Sequence, residues 1–206
     1  MGAMTPRPRN FDEATALQSA KEFFWTQGFE ATSIQNLVDS MNIGRQSLYN
    51  TFGDKRTLFL RTLDLYNEEL QEAALTPLNR PDAAMAEIAI YLRSVASSLT
   101  GQAVRRSCFL MNSVLELAAT DEEVRKVASQ FRVSLVAALE LALVRSAEQG
   151  TLKPGSDPEV CAQIIANTAM GMSLAWKSGG IPEELSSIVE GTIALVAKEH
   201  APVAHS

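Results

Sequence analysis

The sequence has 206 residues, of which 46% are hydrophobic, and it carries a net charge of −6. This length is enough for one large domain, or for a small domain followed by a larger one, with a sizeable buried core. The acidic balance disfavours a general RNA-coating or histone-like protein, which needs Lys and Arg throughout. The apolar runs are far shorter than a membrane span, so we expect no membrane partner.

The charge is unevenly distributed along the chain. Residues 1–60 contain 6 Lys or Arg and 6 Asp or Glu, whereas residues 61–206 contain 12 and 18. The first segment is therefore free of the acidic excess and can present a local basic face to nucleic acid.

No secretory signal pattern opens the sequence, and its two cysteines, Cys108 and Cys161, are too few for a disulfide framework. A reducing cytoplasm fits best, and no Cys or His cluster predicts a metal or another cofactor.

The first predicted helix covers Phe11 to Gln27. Asn10 is its expected N-cap, because Glu13 follows at the spacing of a capping box, and Gly28 is its expected end. Its apolar positions recur every three or four residues, as one helical face requires. These positions are Ala14, Leu17, Ala20 and Phe24.

Two short helices joined by a tight turn are predicted next, over residues 32–55. Thr32 or Ser33 caps the first of them, and Asn42 lies at the turn because Asn tolerates the left-handed conformation. Gly44 begins the second, which includes Leu48 and ends near Phe52. Polar and basic residues occupy the exposed side of this second helix. That pattern is typical of a helix-turn-helix, which places one helix in the DNA major groove.

The remainder of the chain is predicted to be helical as well. A fourth helix begins after Asp54 and reaches about Leu75, with a break from Pro77 to Pro81. Strand and hairpin signals are weak throughout. We therefore predict an all-α fold of about nine helices, the last five lying near residues 82–99, 103–119, 121–149, 157–178 and 183–199.

The helix-turn-helix segment also carries residues at fixed spacing across three helices. They are Ala20, Phe24, Gly28, Phe29, Thr32, Ser33, Leu37, Ser47, Leu48, Tyr49, Phe52, Lys55 and Leu58. In this pattern the first 66 residues resemble the TetR family of one-component transcriptional repressors. Two positions depart from the family, Asn42 in place of a common Gly and Gly44 in place of a frequent Ser or Thr cap. Asn is the common substitute at the first position, and Gly44 is expected to cost about a few tenths of a kcal/mol as a cap.

The resemblance implies how the chain is organised. Residues 1–56 would form a DNA-binding domain, a three-helix bundle that contains the helix-turn-helix. Residues 57–206 would form a helical bundle for ligand binding and dimerisation. The expected protein is a homodimeric repressor that binds a near-palindromic double-stranded operator and is released by a small-molecule effector.

The resemblance also implies which residues contact DNA. Gln35, Arg45, Gln46 and Ser47 occupy base-reading positions, and Arg and Gln pair bidentately with guanine and adenine, respectively. The remaining candidates fall on the phosphate side, where a helix N-terminus and a cation both favour an anion. They are Thr32, Ser33, Tyr49, Asn50, Thr51 and Lys55. Leu48 and Phe52 are expected in the core.

Two features leave alternatives open. Arg45 alone is as consistent with a solvated surface charge as with a base contact, and its place beside Gln46 favours the contact. Arg7 and Arg9 fit either a DNA-contacting arm or a simple tail.

Two C-terminal segments are candidate dimerisation helices, because small and apolar residues recur in them at close spacing. The alternative is that they pack only within one subunit. Their candidate interface positions are Ala162, Ile165, Ala166, Ala169 and Gly171 in the first segment, and Leu185, Ile188, Val189, Ile193, Leu195 and Val196 in the second.

The candidate effector site centres on the segment from Arg105 to Ser113, which mixes a thiol, bulky apolar groups and an amide. Its predicted ligand contacts are Tyr91, Cys108, Met111, Asn112, Phe131, Met170 and Trp176, with Met172 as a further lining candidate. Plain core packing is the alternative for each aromatic residue and each Met. The residues from Cys108 to Ala118 are similar to a TetR subgroup with an Asn-x3-Glu pattern, some members of which respond to reactive electrophiles. Arg105 and Arg106 would lower the pKa of the Cys108 thiol, so modification of Cys108 is a second way in which the repressor could be released from DNA. The alternative is that Cys108 is a buried residue that acts as a small hydrophobe.

Two other classes of protein are less consistent with the sequence. A small helical enzyme would need a catalytic constellation, and no Ser-His-Asp order, Walker loop or Rossmann glycine pattern is present. The two histidines, His200 and His205, lie close to the C-terminus. A helical interaction protein that does not bind DNA would have no need of the Arg-Gln-Ser-x-Tyr face.

Overall fold

The computed structural model describes residues 11–101 and 105–198, and within them the fold is all-α. The only β-type pairing in these residues is an isolated bridge between Leu152 and Ala197. The predicted fold class is therefore confirmed. The helices are α1 Glu13–Gln27, α2 Ile34–Met41, α3 Arg45–Phe52, α4 Lys55–Leu78, α5 Met85–Thr100, α6 Phe109–Leu117, α7 Glu122–Glu148, α8 Pro158–Lys177 and α9 Pro182–Val196.

Packing divides the chain into two compact units, Met1–Tyr66 and Asn67–Ser206. The division falls inside α4, which begins in the first unit and ends in the second. The predicted border after residue 56 would assign all of α4 except its first two residues to the second domain, and it stays a prediction.

The core of the first unit is built around three aromatic rings. Phe59 of α4 meets Phe24 of α1 edge-on, with 5.2 Å between ring centroids, and meets Phe29 at 5.0 Å. Leu48 and Phe52 of α3 are 0% and 1% exposed, which confirms that they are core residues. Burial of such side chains is worth roughly 1.5–3 kcal/mol each, so these contacts hold the short helices α2 and α3 in place.

The turn between α2 and α3 depends on Asn42, whose backbone is left-handed with φ 52° and ψ 45°. Asn42 is the one described residue other than glycine with a positive φ. Its N–H donates to the carbonyls of Val38 and Asp39, so it closes the C-terminus of α2. Met41 and Ile43 on either side are buried, and the sharp turn lets both side chains enter the core.

Three helix boundaries differ from the sequence predictions. The N-cap of α1 is Asp12, whose carboxylate accepts from the Thr15 N–H, and the predicted cap Asn10 lies outside the described residues. Helix α4 continues through Pro77 to Leu78, because a proline in the last turn removes only one backbone donor. Helix α6 begins at Phe109 rather than near residue 103, since residues 105–108 are non-helical.

The core of the second unit is formed by α5, α7, α8 and α9 together with the last turns of α4. Leu135, Leu139 and Leu143 of α7 are buried there beside Ile165 of α8. Helix α7 is the only described helix with the length and composition of a membrane span. Because its buried side contributes to this core, α7 is a core helix of the second unit.

Substitution of Asn42 tests the importance of the left-handed turn. Asn42→Ala is expected to destabilise the protein by about 1–2 kcal/mol, because a Cβ is unfavourable in this conformation and Asn tolerates it better than Ala. Asn42→Gly is the matched control and is expected to change stability by about a few tenths of a kcal/mol. Urea unfolding followed by circular dichroism measures both. Equal stability of the Ala and Gly variants would contradict the proposed role of the turn.

Candidate nucleic-acid interface and effector site

The N-terminus of α2 is fixed by a reciprocal cap. The Ser33 hydroxyl accepts from the Asn36 N–H at 3.1 Å, and the Asn36 amide oxygen accepts from the Ser33 N–H at 3.0 Å. Thr32, the other predicted cap, is buried, and its hydroxyl donates to the Gly28 carbonyl. Of the two phosphate contacts predicted at this end of α2, Ser33 is therefore at the surface, whereas the Thr32 hydroxyl donates to a carbonyl of its own chain.

Helix α3 presents one polar face to solvent. Arg45, Gln46 and Asn50 are exposed, and Tyr49 is 41% exposed. These residues recur at one helical face, opposite buried Leu48 and Phe52. Ser47 and Thr51 are half-buried at the border of that face. The structure thus brings four of the predicted contacts of α3 together on one exposed surface.

Two glutamine side chains on this surface are oriented by neighbours one turn away. The Gln46 amide donates to the Asn50 side-chain oxygen at 2.9 Å on α3. On α2, the Gln35 amide donates to the Asp39 carboxylate at 2.8 Å. A glutamine amide has one carbonyl oxygen and two N–H groups, so each side chain can still offer an acceptor and a donor to an adenine edge.

The beginning of α4 places a cation beside an aromatic ring. The Lys55 ammonium lies 4.3 Å from the centroid of the Phe29 ring. Asp54 precedes it, and its carboxylate accepts from the Thr57 N–H and hydroxyl, both at 2.7 Å. The backbone hydrogen bond from Thr57 lowers the pKa of Asp54, followed by the bond from the Thr57 hydroxyl. The Asp54 carboxylate caps α4, and Lys55 is the first residue of that helix. The Lys55 charge therefore lies at the N-terminus of α4, where a bound anion such as phosphate is favoured.

Tyr91 and Cys108 lie close together in the second unit. Tyr91 of α5 is buried, and burial raises the pKa of its phenol, with a smaller contribution from Cys108. Cys108 is half-buried and is the N-cap residue of α6. The other thiol, Cys161, is buried, and burial raises its pKa.

The predicted role of Arg105 beside Cys108 differs from its observed contacts. Its guanidinium lies 3.8 Å from the centroid of the Trp176 ring and donates to the carbonyls of Trp176 and Gly180 at 2.7 and 2.8 Å. Arg105 therefore caps the C-terminus of α8, where a cation is favoured by the helix dipole. Sequence reasoning missed this pairing because the partners are 71 and 75 residues apart.

Trp176 itself has an unusual feature. The residue is 6% exposed, and its indole Nε1 is buried with no hydrogen-bond partner among the described residues. A buried indole N–H ordinarily finds an acceptor, because an unmade bond costs about 1–3 kcal/mol. This donor is therefore available to an acceptor that the described residues do not supply.

The amide of Asn112 is joined to two other polar side chains. Its oxygen accepts from the Ser107 hydroxyl at 2.6 Å and from the Lys177 ammonium at 2.9 Å. Ser107 lies in the candidate segment but was not a predicted contact, and no local pattern in the sequence indicates Lys177. Three further predicted ligand contacts, Met111, Phe131 and Met170, are half-buried, and Phe131 packs against the core. Met172 is buried within that core.

The apolar surface of α8 and α9 differs from the predicted dimerisation face. The predicted small residues of α8 point into the core of their own subunit, so that prediction was wrong for Ala162, Ile165, Ala166 and Ala169. Leu185, Val189 and Val196 of α9 are buried in the same core. The opposite faces are exposed and also apolar. They carry Val160, Ile164, Gly171 and Leu174 on α8 and Ile188, Gly191 and Leu195 on α9, with exposed Ile181 as the N-cap residue of α9.

Two protein-family models match the chain. Residues 16–62 match the family described as bacterial regulatory proteins, tetR family, and residues 84–191 match the family described as tetracyclin repressor-like, C-terminal domain. An uncharacterised HTH-type transcriptional regulator, YezE of Bacillus subtilis, is 32% identical over 76% of this chain and 80% of its own length. The HTH-type transcriptional repressor ComR of Escherichia coli is 26% identical over 92% of this chain and 90% of its own length.

Solved structures give a consistent comparison. A cysteine mutant of the TetR family transcriptional regulator CifR, complexed with a 26-base-pair operator DNA, superimposes with a TM-score of 0.80. It is 29% identical, and the alignment covers 92% of this chain and 99% of that one. The reduced form of Escherichia coli NemR has a TM-score of 0.77 over 91% of this chain and 98% of its own, at 17% identity.

Proposed function

This chain belongs to the TetR family of bacterial regulatory proteins, and we propose that it is a homodimeric repressor that binds a near-palindromic operator through α3 and is released by an effector. The observation that carries the proposal is the exposed face of α3, held by buried Leu48 and Phe52 on its opposite side. The protein acts in the cytoplasm and is a regulator rather than an enzyme. Its relatives support this proposal, since they are named as transcriptional regulators.

Base recognition is assigned to Arg45 and Gln46, with Gln35 and Ser47 as neighbours on the same surface. Arg45 is exposed at the first turn of α3, the part of a recognition helix that reaches base edges. The hydrogen bond from Gln46 to Asn50 supports this assignment, because it orders the amide before DNA binds.

Phosphate contact is assigned to Ser33, Tyr49, Asn50, Thr51 and Lys55. Tyr49 is exposed on the α3 face, and Lys55 is the first residue of α4. The ring of Phe29 holds the Lys55 ammonium at this helix N-terminus, so a bound phosphate would meet a cation at the positive end of the helix dipole.

Dimerisation is assigned to the exposed seams of α8 and α9. Val160, Ile164, Gly171 and Leu174 fall at the spacing of a helix-packing seam, with exposed Asn167 between them. A Cβ added to Gly171 or Gly191 would meet nothing within 4 Å, so neither glycine is required inside the subunit. Glycine within a helix costs roughly 0.5–1 kcal/mol relative to Ala. Close approach by the same helices of a second copy explains why both positions lack a side chain.

Effector release is assigned to the region of Trp176 and Cys108. The unpartnered Trp176 Nε1 supports it, because a ligand with a hydrogen-bond acceptor would satisfy this donor. Tyr91, Met111, Asn112, Phe131 and Met170 are the remaining assigned contacts. Cys108 is half-buried at the N-terminus of α6, where the helix dipole favours a thiolate, so we assign it as the position of covalent modification. Effector binding or modification of Cys108 would shift the population of the protein towards a conformation that does not fit the operator.

Selection of bound duplexes from a random pool tests the DNA-binding proposal. The wild-type protein is expected to enrich one near-palindromic sequence, whereas an enzyme or a protein that binds no DNA would enrich none. Arg45→Ala is then expected to weaken binding to that duplex by about 1–3 kcal/mol and to relax the preference at one base pair. Unchanged affinity and preference in a gel-shift series would contradict the assignment of Arg45.

Lys55→Ala tests a phosphate contact, in contrast to the base contact that Arg45→Ala tests. Loss of a phosphate contact is expected to weaken binding to all sequences alike and to lower the slope of log K against log salt concentration by about 0.9. The measurement is binding to the selected duplex and to a scrambled duplex over a range of salt concentrations. A change confined to the selected duplex would assign Lys55 to base recognition instead.

Gly171→Asp tests the dimer seam. A charged side chain at the centre of the proposed interface is expected to shift the protein from dimer to monomer in light scattering and to abolish operator binding. Ser129→Asp, which adds the same charge to an exposed position of α7, is the control and should remain dimeric. A wild-type monomer, or a dimeric Gly171→Asp variant, would refute this interface.

Cys108→Ser tests covalent release. Treatment of the protein–operator complex with N-ethylmaleimide is expected to release DNA from the wild type and from Cys161→Ser, but not from Cys108→Ser. The reason is that Cys108 is half-buried whereas Cys161 is buried, so only the former thiol is accessible. Equal release from wild type and Cys108→Ser in a gel-shift assay would remove Cys108 from the mechanism.

A further inference from the structure

Arg61 of α4 joins three helices of the first unit. Its Nη2 lies 2.7 Å from a carboxylate oxygen of Glu13, the first residue of α1. Its Nη1 donates to the Thr51 carbonyl in the last turn of α3 at 3.1 Å. The guanidinium also lies 4.8 Å from the centroid of the Phe52 ring. We call this set of contacts the Glu13–Arg61–Thr51 bridge.

The bridge supplies what α3 lacks at its C-terminus. Helix α3 has eight residues, no basic residue in its last turn and no side-chain cap at Gly44. The last carbonyls of a helix are unpaired and carry partial negative charge, so a cation beside them is stabilising. Arg61 provides that cation from another helix and packs against the aromatic ring that anchors α3.

Glu13 completes the arrangement from a third helix. It lies 48 residues from Arg61 in sequence, and its charge in the first turn of α1 is favoured by the helix dipole. The ion pair is partly shielded, with side-chain exposures of 37% for Arg61 and 32% for Glu13. A guanidinium held by a carboxylate, a carbonyl and a ring has little freedom, so its position fixes the end of α3 relative to α1 and α4.

We propose that the Glu13–Arg61–Thr51 bridge is a positioning device for operator recognition, and that neither Glu13 nor Arg61 contacts DNA. Its function is to hold α3 at the angle from which Arg45 and Gln46 reach base edges. This inference rests on the proposed function, in which α3 reads the operator. A small displacement of α3 would weaken the base contacts, which demand defined geometry, more than the looser phosphate contacts.

The variants Arg61→Met and Glu13→Gln test the bridge. Arg61→Met keeps an apolar stem against Phe52 and removes the charge, while Glu13→Gln keeps the size of the side chain and removes the ion pair. Glu68→Gln removes a carboxylate from an exposed position of α4 and serves as the charge control. The probes are the duplex selected with the wild-type protein and a scrambled duplex of the same composition, measured by fluorescence anisotropy over a range of salt concentrations.

Each bridge variant is expected to weaken binding to the selected duplex by about tenfold, the size of one lost base contact. Binding to the scrambled duplex should change by less than about twofold, and the salt slope for the selected duplex should stay unchanged. Glu13→Gln is the more decisive variant. Removal of a negative charge favours DNA binding on electrostatic grounds alone, so a weaker complex is the signature of positioning.

Other outcomes overturn the inference. A salt slope lowered by about 0.9 in Arg61→Met, with unchanged or tighter binding by Glu13→Gln, would make Arg61 a direct phosphate contact. Equal losses on both duplexes would likewise exclude a positioning role. If Arg61→Met does not fold, as judged by thermal unfolding, Glu13→Gln and Arg61→Lys decide the question by the same criteria. A wild-type protein that enriches no duplex would overturn the proposed function itself, which is a separate result from a failure of the bridge.

Discussion

The eight-residue length of α3 is the constraint on which the DNA-binding unit depends. A helix this short is marginal in water, because nucleation is costly and few hydrogen bonds follow it. Its stability must come from contacts outside itself, chiefly the burial of Leu48 and Phe52 and the left-handed turn at Asn42. Leu48 and Phe52 occupy the buried side of α3. The opposite side is exposed and carries Arg45, Gln46, Tyr49 and Asn50. The division between packing and recognition follows from the geometry of a single short helix.

Contacts from other helices also stabilise α3. Thr51 and Phe52 at the end of α3 are held by Arg61, and Arg61 is held by Glu13. A recognition helix fixed in this way loses less conformational entropy on binding DNA than a mobile one. The hydrogen bonds from Gln46 to Asn50 and from Gln35 to Asp39 likewise restrict these side chains before DNA binds.

In the second unit, one helix connects the proposed effector and dimer regions. The C-terminus of α8 carries Trp176, whose ring lies against Arg105, while its exposed face carries Val160, Ile164 and Leu174. Arg105 lies three residues before Cys108 and binds the carbonyls of Trp176 and Gly180. A change at the start of α6 would therefore reach the proposed dimer seam through a short chain of direct contacts. The release of the operator that we propose for modification of Cys108 would use this route.

The sequence determined the features whose chemistry is local. The all-α class, the left-handed turn at Asn42 and the end of α1 at Gly28 each depend on a few neighbouring residues. The base-reading candidates Arg45 and Gln46 followed from the family resemblance, and their contacts with DNA stay predictions. Only the tertiary structure decided which face of α8 is buried, since Ala162 and Ile165 on one side and Val160 and Ile164 on the other are equally apolar. It also decided the partners of Arg61 and Arg105. Helix caps and turns depend on residues that are close in sequence. The buried face of α8 and the partners of Arg61 and Arg105 depend instead on packing between segments that are distant in sequence. The hydrophobic periodicity of one segment does not indicate which other segment packs against it.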